Sequence, residues 1–376
     1  MFPPPPAEHI DWSKLGLTPT KVNGHIESRY NLKTGVWTEP EFVEDPFIKV
    51  HGLAPALNYG QQVYEGLKAF RTPQNTIHIF RPDFHGARLA HSASYVSLPG
   101  PPVSHFKKCV QHAVALNAAF VPPADSSGFL YIRPLLFGSS AQLALSPPEE
   151  YILAVYVHPT SSYHGTQALD AVVLDDFDRA APKGTGSAKV GGNYAPVYQW
   201  MEKAKKDGYG ITLHLDSATR TAIEEFSTSG FIGITTPSSG DETPTLVVPD
   251  TQNAIRSCSS DSIVTMAGDR GWKVEKRTIQ FSEDPEVSPL STFTEVLAVG
   301  TAAAAVPIRS ISRPSTGQKF TFGGSDPEDK GTAASGLELA RMIADIQHGV
   351  APDRFGWCWE VEGVESPPQA QNEGVN

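Results

Sequence analysis

Cysteine is scarce: Cys109, Cys258 and Cys358 are the only three in 376 residues, too few and too far apart for a disulfide framework or a metal-ligand pair. A reducing compartment is therefore expected. Long apolar runs are missing too. No stretch approaches the roughly 18 apolar residues that a membrane span needs, so no membrane partner is expected. Positive charge is outnumbered, 30 Lys and Arg against 41 Asp and Glu for a formal net charge of −11. With no basic stripe interleaved with aromatics, no nucleic acid partner is expected. The opening Met1-Phe-Pro-Pro-Pro-Pro has neither a basic-then-apolar pattern nor an arginine-rich amphipathic one, and a cytoplasmic location is the expectation. No G-x-G-x-x-G follows a predicted strand near the N-terminus, which argues against a Rossmann dehydrogenase. The 12 histidines are scattered without a metal-ligand cluster, so no metal is expected and none is given a catalytic role.

What is present is a chain too long for one small core, and two domains of about 150 to 200 residues are expected. Residues 1–158 form the first, a small-residue connection at 159–168 follows, residues 169–360 form the second, and 361–376 read as a disordered tail. Both halves mix α and β. Short β-branched runs predict strands at Thr76–Phe80, Tyr151–Val157, Asp170–Leu174, Tyr209–Leu215, Thr245–Val248 and Phe293–Val299. Helices are predicted at Phe84–Ser97, between Pro196 and Gly208, and near Leu337–Ala344, the last with Ser335 and Glu338 as a capping box. The segment Thr236–Thr245 reads as an exposed loop.

The chemistry concentrates around Gly184-Thr-Gly-Ser-Ala-Lys189-Val-Gly-Gly-Asn-Tyr194. Two readings are open: a flexible loop with a solvated lysine, or small side chains that let a flat ring lie against the backbone beside a buried, nucleophilic amine. Glu225, in Ile223-Glu-Glu-Phe-Ser-Thr228, is a solvated strand-end charge or the carboxylate that keeps a pyridine nitrogen protonated. Ser257-Cys258-Ser259 begins a predicted helix, either as an ordinary cap or as an anion site whose N–H groups face a phosphate. Thr301 at a strand end and Arg81 in Phe80-Arg-Pro82 supply a hydroxyl and a fixed positive charge that suit the same phosphate.

Taken in order, Leu57-Asn-Tyr59-Gly-Gln-Gln-Val-Tyr64-Glu-Gly-Leu-Lys68-Ala-Phe70, Phe80-Arg-Pro82, Leu130-Tyr-Ile-Arg-Pro134, Lys189-Val-Gly-Gly-Asn-Tyr194, the Glu225 segment and Gly300-Thr-Ala302 resemble the branched-chain aminotransferases. These belong to the fold type IV enzymes that depend on pyridoxal 5′-phosphate (PLP). The resemblance implies an α/β (α+β) fold of two domains, a smaller N-terminal α/β domain and a larger mixed-sheet domain. It implies that Lys189 is catalytic and carries PLP as a Schiff base, that Glu225 pairs with the pyridine nitrogen, and that Tyr194 meets the ring hydroxyl. Arg81, Thr301 and the backbone of Cys258 and Ser259 would hold the phosphate. For the substrate it implies a pocket of Tyr59, Tyr64, Tyr131, Tyr194 and Thr228, with Arg133 and the Thr301-Ala302 turn seating carboxylates. Leu143 and Leu145 match a loop that reaches the neighbouring subunit, so a homodimer is implied. The substrates would be a branched-chain or other aliphatic amino acid and a 2-oxo acid such as 2-oxoglutarate.

Three departures stand out. Tyr64 replaces a common phenylalanine, adding a hydroxyl to an apolar wall. Gly230 replaces a common asparagine and is expected to loosen that strand end. Ala303 and Val306 occupy the positions of a cysteine pair found in animal members, so no thiol switch of that kind operates. Within the same fold, a D-amino-acid or (R)-selective amine transaminase is the alternative, and a PLP-binding protein without catalysis is a further one.

Overall fold

A computed structural model describes residues 2–161, 167–237, 243–282, 284, 288–301, 304–323 and 333–365. The chain divides into two compact units, Met1–Ser161 with Gln347–Asn376, and Ser162–Ile346.

The first unit is built on an antiparallel sheet whose strands run in the order Cys358–Glu360, Ile77–Phe80, Leu67–Arg71, Phe129–Gly138, Glu150–Thr160, His25–Asn31, Val36–Trp37. Gln62–Tyr64 pairs with the later part of Phe129–Gly138. Leu67–Arg71 is buried along its whole length, as a central strand covered on both faces must be. Helix Pro82–Tyr95 buries His85, Arg88, Leu89, Ser92 and Ala93, one stripe at the helical period, and helix Val103–Leu116 buries Phe106, Cys109, Val110, Ala113 and Val114. The first of these begins with proline at its first turn, where the missing N–H costs nothing.

The sequence boundary at 360 is corrected by the C-terminal segment. Cys358–Glu360 adds a strand to the first unit beside Ile77–Phe80, and the N–H of Val361 donates to the carbonyl of Ile77 at 2.8 Å. Val361 is buried, so the expected tail does not begin there; residues 366–376 lie outside the described residues, as do 162–166 of the expected connection and 238–242 of the expected loop.

The second unit carries a mixed sheet in the order Ile223–Phe226, Ile211–Leu215, Leu169–Val173, Ala304–Arg313, Glu295–Gly300, Gly230–Thr235, Thr245–Pro249, Lys273–Arg277. Ile211–Leu215 and Ala304–Arg313 flank Leu169–Val173 in parallel. A tight hairpin at Ser227-Thr228, closed by the Phe226–Ser229 bridge, brings Ile223–Phe226 beside Gly230–Thr235, although they are far apart in the strand order, and the sheet curls around its core. Phe226, Phe231, Phe281, Phe293 and Phe320 fill that core, with the rings of Phe226 and Phe231 stacked at 5.6 Å.

The helices follow the sequence with two adjustments. Pro196 sits in a 3-10 turn, Ala195–Val197, just ahead of helix Tyr198–Lys206, and Gly208 takes φ +89° where the chain leaves it. In helix Ala334–Gln347, Ser335 lies inside the first turn and is not its cap. The carboxylate of Glu295, from the neighbouring strand, accepts from the N–H groups of Ser335 and Gly336 at 3.1 and 2.9 Å. A tertiary cap of this kind leaves no local sequence signal.

Candidate active site

In the second unit the small-residue loop is rigidly tied. Thr185 donates to Asn193 Oδ1 at 2.9 Å, and Asn193 Nδ2 returns hydrogen bonds to the carbonyls of Thr185 and Ala188 at 2.7 and 3.0 Å. Gly186 is obligatory: a Cβ there would lie 2.3 Å from Ala180 Cβ and 2.4 Å from the Asn253 carbonyl. The loop presents a half-buried Lys189 whose Nζ donates to the Tyr194 hydroxyl at 2.8 Å. The reading as a freely solvated lysine is not what the structure has.

Glu225 is 5% exposed. Its Oε1 lies against Nη1 of Arg179, and its Oε2 accepts from the Ile255 N–H at 3.4 Å. Burial, the largest influence, pushes its carboxyl up to about 7, against the opposing pull of Arg179, the Ile255 N–H and the Lys189 ammonium. Although in ion contact with Arg179, Oε1 has no hydrogen-bond donor aligned on it. Arg179 is itself held by the Gly186 carbonyl at 3.3 Å. Behind this pair His214 Nε2 stands 2.7 Å from the Ser227 hydroxyl, and burial with the nearby Arg179 pulls its pKa down to about 3, so the imidazole is neutral.

Helix Cys258–Asp269 starts with Ser257 as its cap, the Ser257 hydroxyl accepting from the N–H of Ser260 at 3.1 Å. The N–H groups of Cys258 and Ser259 belong to the first turn, which the helix cannot satisfy itself. Around this start, a Cβ on Gly230 would come within 2.7 Å of the Ser260 hydroxyl, and one on Gly300 within 3.3 Å of the Thr228 carbonyl and 3.2 Å of the Ser229 hydroxyl. Helix start, Thr228 hairpin and the strand end leading to Thr301 are thus brought together. Gly230 does not loosen the strand, as the sequence suggested; it sits in close packing where any side chain would have to displace the Ser260 hydroxyl. The hydroxyls of Ser229 and Ser260 are buried without a hydrogen-bond partner. A Glu225 oxygen with no donor aligned on it, together with the unpartnered hydroxyls of Ser229 and Ser260 at a helix start, fits a protonated pyridine carrying a phosphate. Ala302 and Ala303 lie outside the described residues; Val306 is buried on its strand.

In the first unit Tyr64, Tyr131 and Arg133 form one cluster. The Arg133 guanidinium lies 5.0 Å from the Tyr64 ring and 5.2 Å from that of Tyr131, and donates to the Tyr131 hydroxyl at 3.2 Å. The Tyr131 hydroxyl occupies the space a Cβ on Gly66 would need, at 2.0 Å. Arg81 takes a left-handed conformation, φ +50°, and its guanidinium is flanked by the rings of Phe84 and Trp357 at 4.9 and 5.1 Å. Tyr59 is exposed and donates to the Leu143 carbonyl at 2.6 Å; Leu143 and Leu145 project outward, 62% and 91% exposed.

The sequence reading missed Arg179 and Trp357. Arg179 stands ten positions before Lys189 with no local pattern to mark it, and Trp357 enters only because the C-terminus returns to the first unit.

Architecture and donor set define the class: an enzyme of the fold type IV, PLP-dependent kind. The family described as Amino-transferase class IV matches residues 62–311, and the chain belongs to that family. It is an aminotransferase, and its cofactor is PLP. Among its relatives, aminotransferase poxL of Penicillium oxalicum is 51% identical over 357 residues, 95% of this chain and 94% of that one. Transaminase htyB of Aspergillus rugulosus is 46% identical, covering 96% and 95%. The branched-chain amino acid aminotransferase of Escherichia coli has the same fold, with TM-score 0.70, 23% identity and coverage of 91% of this chain and 100% of that one. The branched-chain aminotransferase of the thermophilic archaeon Thermoproteus uzoniensis, solved with norvaline, gives TM-score 0.67 at 21% identity, covering 90% and 100%.

Because its folded pKa lies above the ordinary carboxyl value of 4.5, Glu225 favours the fold most at low pH, and this contribution is lost as pH rises through about 7. Cofactor-depleted protein should therefore lose thermal stability across that window more steeply than Glu225→Gln, and added PLP should flatten the difference. Melting curves at a series of pH values check this; parallel slopes for the two proteins would contradict the placement of Glu225.

Proposed function

We propose that the enzyme exchanges an amino group between a branched-chain or other aliphatic amino acid and a 2-oxo acid such as 2-oxoglutarate. The observation that carries this reading is the Tyr64–Tyr131–Arg133 cluster, which joins two aromatic faces to one cation. Aromatic faces exclude water from an aliphatic side chain, while the guanidinium suits the second carboxylate of a dicarboxylic acceptor.

PLP supplies an electrophilic aldehyde and an electron-accepting ring. In the proposed roles, Lys189 would provide the amine that holds it and would take and return the proton at the substrate α-carbon. Tyr194 holds Nζ in place, and Glu225, charged beside Arg179, meets the pyridine nitrogen. Arg81, Thr301 and the backbone of Cys258 and Ser259 hold the phosphate. Tyr59, Tyr64, Tyr131, Arg133 and Thr228 line the substrate pocket, with Ala302 assigned by resemblance alone. A cytoplasmic setting suits the three cysteines, none of which is in a disulfide, and no described helix is long and apolar enough to cross a membrane.

Leucine offers three more carbons for burial than alanine, about 2.4 kcal/mol or roughly fiftyfold in kcat/KM. With 2-oxoglutarate as acceptor, leucine and isoleucine should exceed alanine by that order, and valine, with two more carbons, by roughly fifteenfold. Turnover of (R)-1-phenylethylamine with none of leucine would instead assign the alternative specificity.

We also infer a homodimer. Leu143 and Leu145 are exposed on a loop held by the Tyr59 hydroxyl, and Leu145 borders a groove of about 370 Å³ with Pro55, Gln61, Val96 and Pro147. Apolar side chains so placed favour a protein partner. Sedimentation should give a dimer for the native chain and a shift toward monomer for Leu145→Asp; a native monomer contradicts the inference.

A further inference from the structure

Beneath the Tyr64–Tyr131–Arg133 cluster lies a charged group in the least expected place. Glu65 has no solvent exposure at all, yet its carboxylate is ionised: Arg88 Nε donates to Oε1 at 2.6 Å, Arg88 Nη2 to Oε2 at 2.7 Å, and His85 Nδ1 stands 2.7 Å from Oε2. The Gly66 N–H adds a fourth contact at 3.2 Å. A buried ion pair adds little stability over well-packed apolar residues, because desolvation offsets the attraction. What such a pair does supply is direction, since the two-pronged Arg88 contact fixes both partners in a plane.

Two sets of residues adjoin that pair. On one side, the Glu65 backbone N–H donates to the Pro134 carbonyl at 2.9 Å, next to Arg133, and Gly66 receives the Tyr131 hydroxyl against its Cα. On the other, Arg88 lies 5.7 Å from the Phe84 ring, which Arg81 also approaches, at 4.9 Å. A single ring therefore stands between the guanidinium that Glu65 fixes and the one assigned to the phosphate. His85 closes the helix side, its N–H donating to the Arg81 carbonyl at 3.4 Å.

We propose that Glu65 is a positioning residue for the transamination: through Arg88 and Phe84 it sets the Arg81 guanidinium, and through its own backbone it sets the Tyr64–Tyr131–Arg133 wall. The proposal deepens the functional reading above and rests on the assignment of Arg81 to the phosphate.

The test uses the full-length enzyme and two readouts, the PLP dissociation constant from absorbance titration of cofactor-depleted protein, and KM and kcat for leucine at saturating PLP. Arg88→Lys keeps the charge but loses the two-pronged contact. It should weaken PLP and raise KM by about tenfold each, because small misplacements of binding groups are costly, while kcat changes several-fold less. Glu65→Gln should move the same two constants further. If either variant fails to fold, Phe84→Leu decides: the half-buried ring can be trimmed with Glu65–Arg88 intact, and PLP should weaken with KM for leucine unchanged. A lowered melting temperature with both constants unchanged in Arg88→Lys, or unchanged PLP affinity in Phe84→Leu, overturns the proposal. Arg81→Gln separates the two levels. If it leaves PLP affinity intact, the phosphate assignment falls and this proposal with it; if it weakens PLP while Arg88→Lys and Phe84→Leu do not, only the positioning role of Glu65 falls.

Discussion

A carboxylate taken as far out of water as Glu225 keeps its charge only beside a cation, and Arg179 alone does not complete its hydrogen bonds. Much of the second unit is arranged around that constraint. The strand Ile223–Phe226 carries Glu225 inward and turns at once through the Ser227-Thr228 hairpin. The same turn sets Gly230 against the start of helix Cys258–Asp269, so one short stretch of chain carries the acid proposed for the ring nitrogen and packs on the helix start proposed for the phosphate. Neutral His214 beneath them avoids placing a further charge beside Arg179.

Two kinds of evidence bear on different levels of the function. Family membership establishes an aminotransferase, and the likeness to solved branched-chain enzymes establishes its fold. The choice of amino donor depends on side chains, and there the chain places a guanidinium against two tyrosine rings, one of them bearing the Tyr64 hydroxyl.

Much of this was legible from residues alone where chemistry and local pattern coincide. Lys189 stands out because glycines and alanines crowd around it, and Ser257 because a cap precedes an apolar helical stripe. Features made by distant segments were not legible. Glu295 caps a helix forty residues away, Arg179 finds Glu225 across the sheet, and the C-terminal strand joins the first unit beside Ile77–Phe80. Gly230 was misread for the same reason: its meaning lies in how close Ser260 comes, which no local pattern encodes.

Lysine identity is the point on which the account can be tested most directly, because the chain offers a chemical rival. Lys68 is buried over the Phe129 ring at 3.9 Å, and burial pulls its amine down to about 7, which favours a neutral, nucleophilic form. Borohydride reduction of the PLP-loaded enzyme, followed by peptide mass mapping, fixes the cofactor to whichever lysine holds it. The account predicts the added mass on the peptide containing Lys189 and on no other; label on the Lys68 peptide would contradict it.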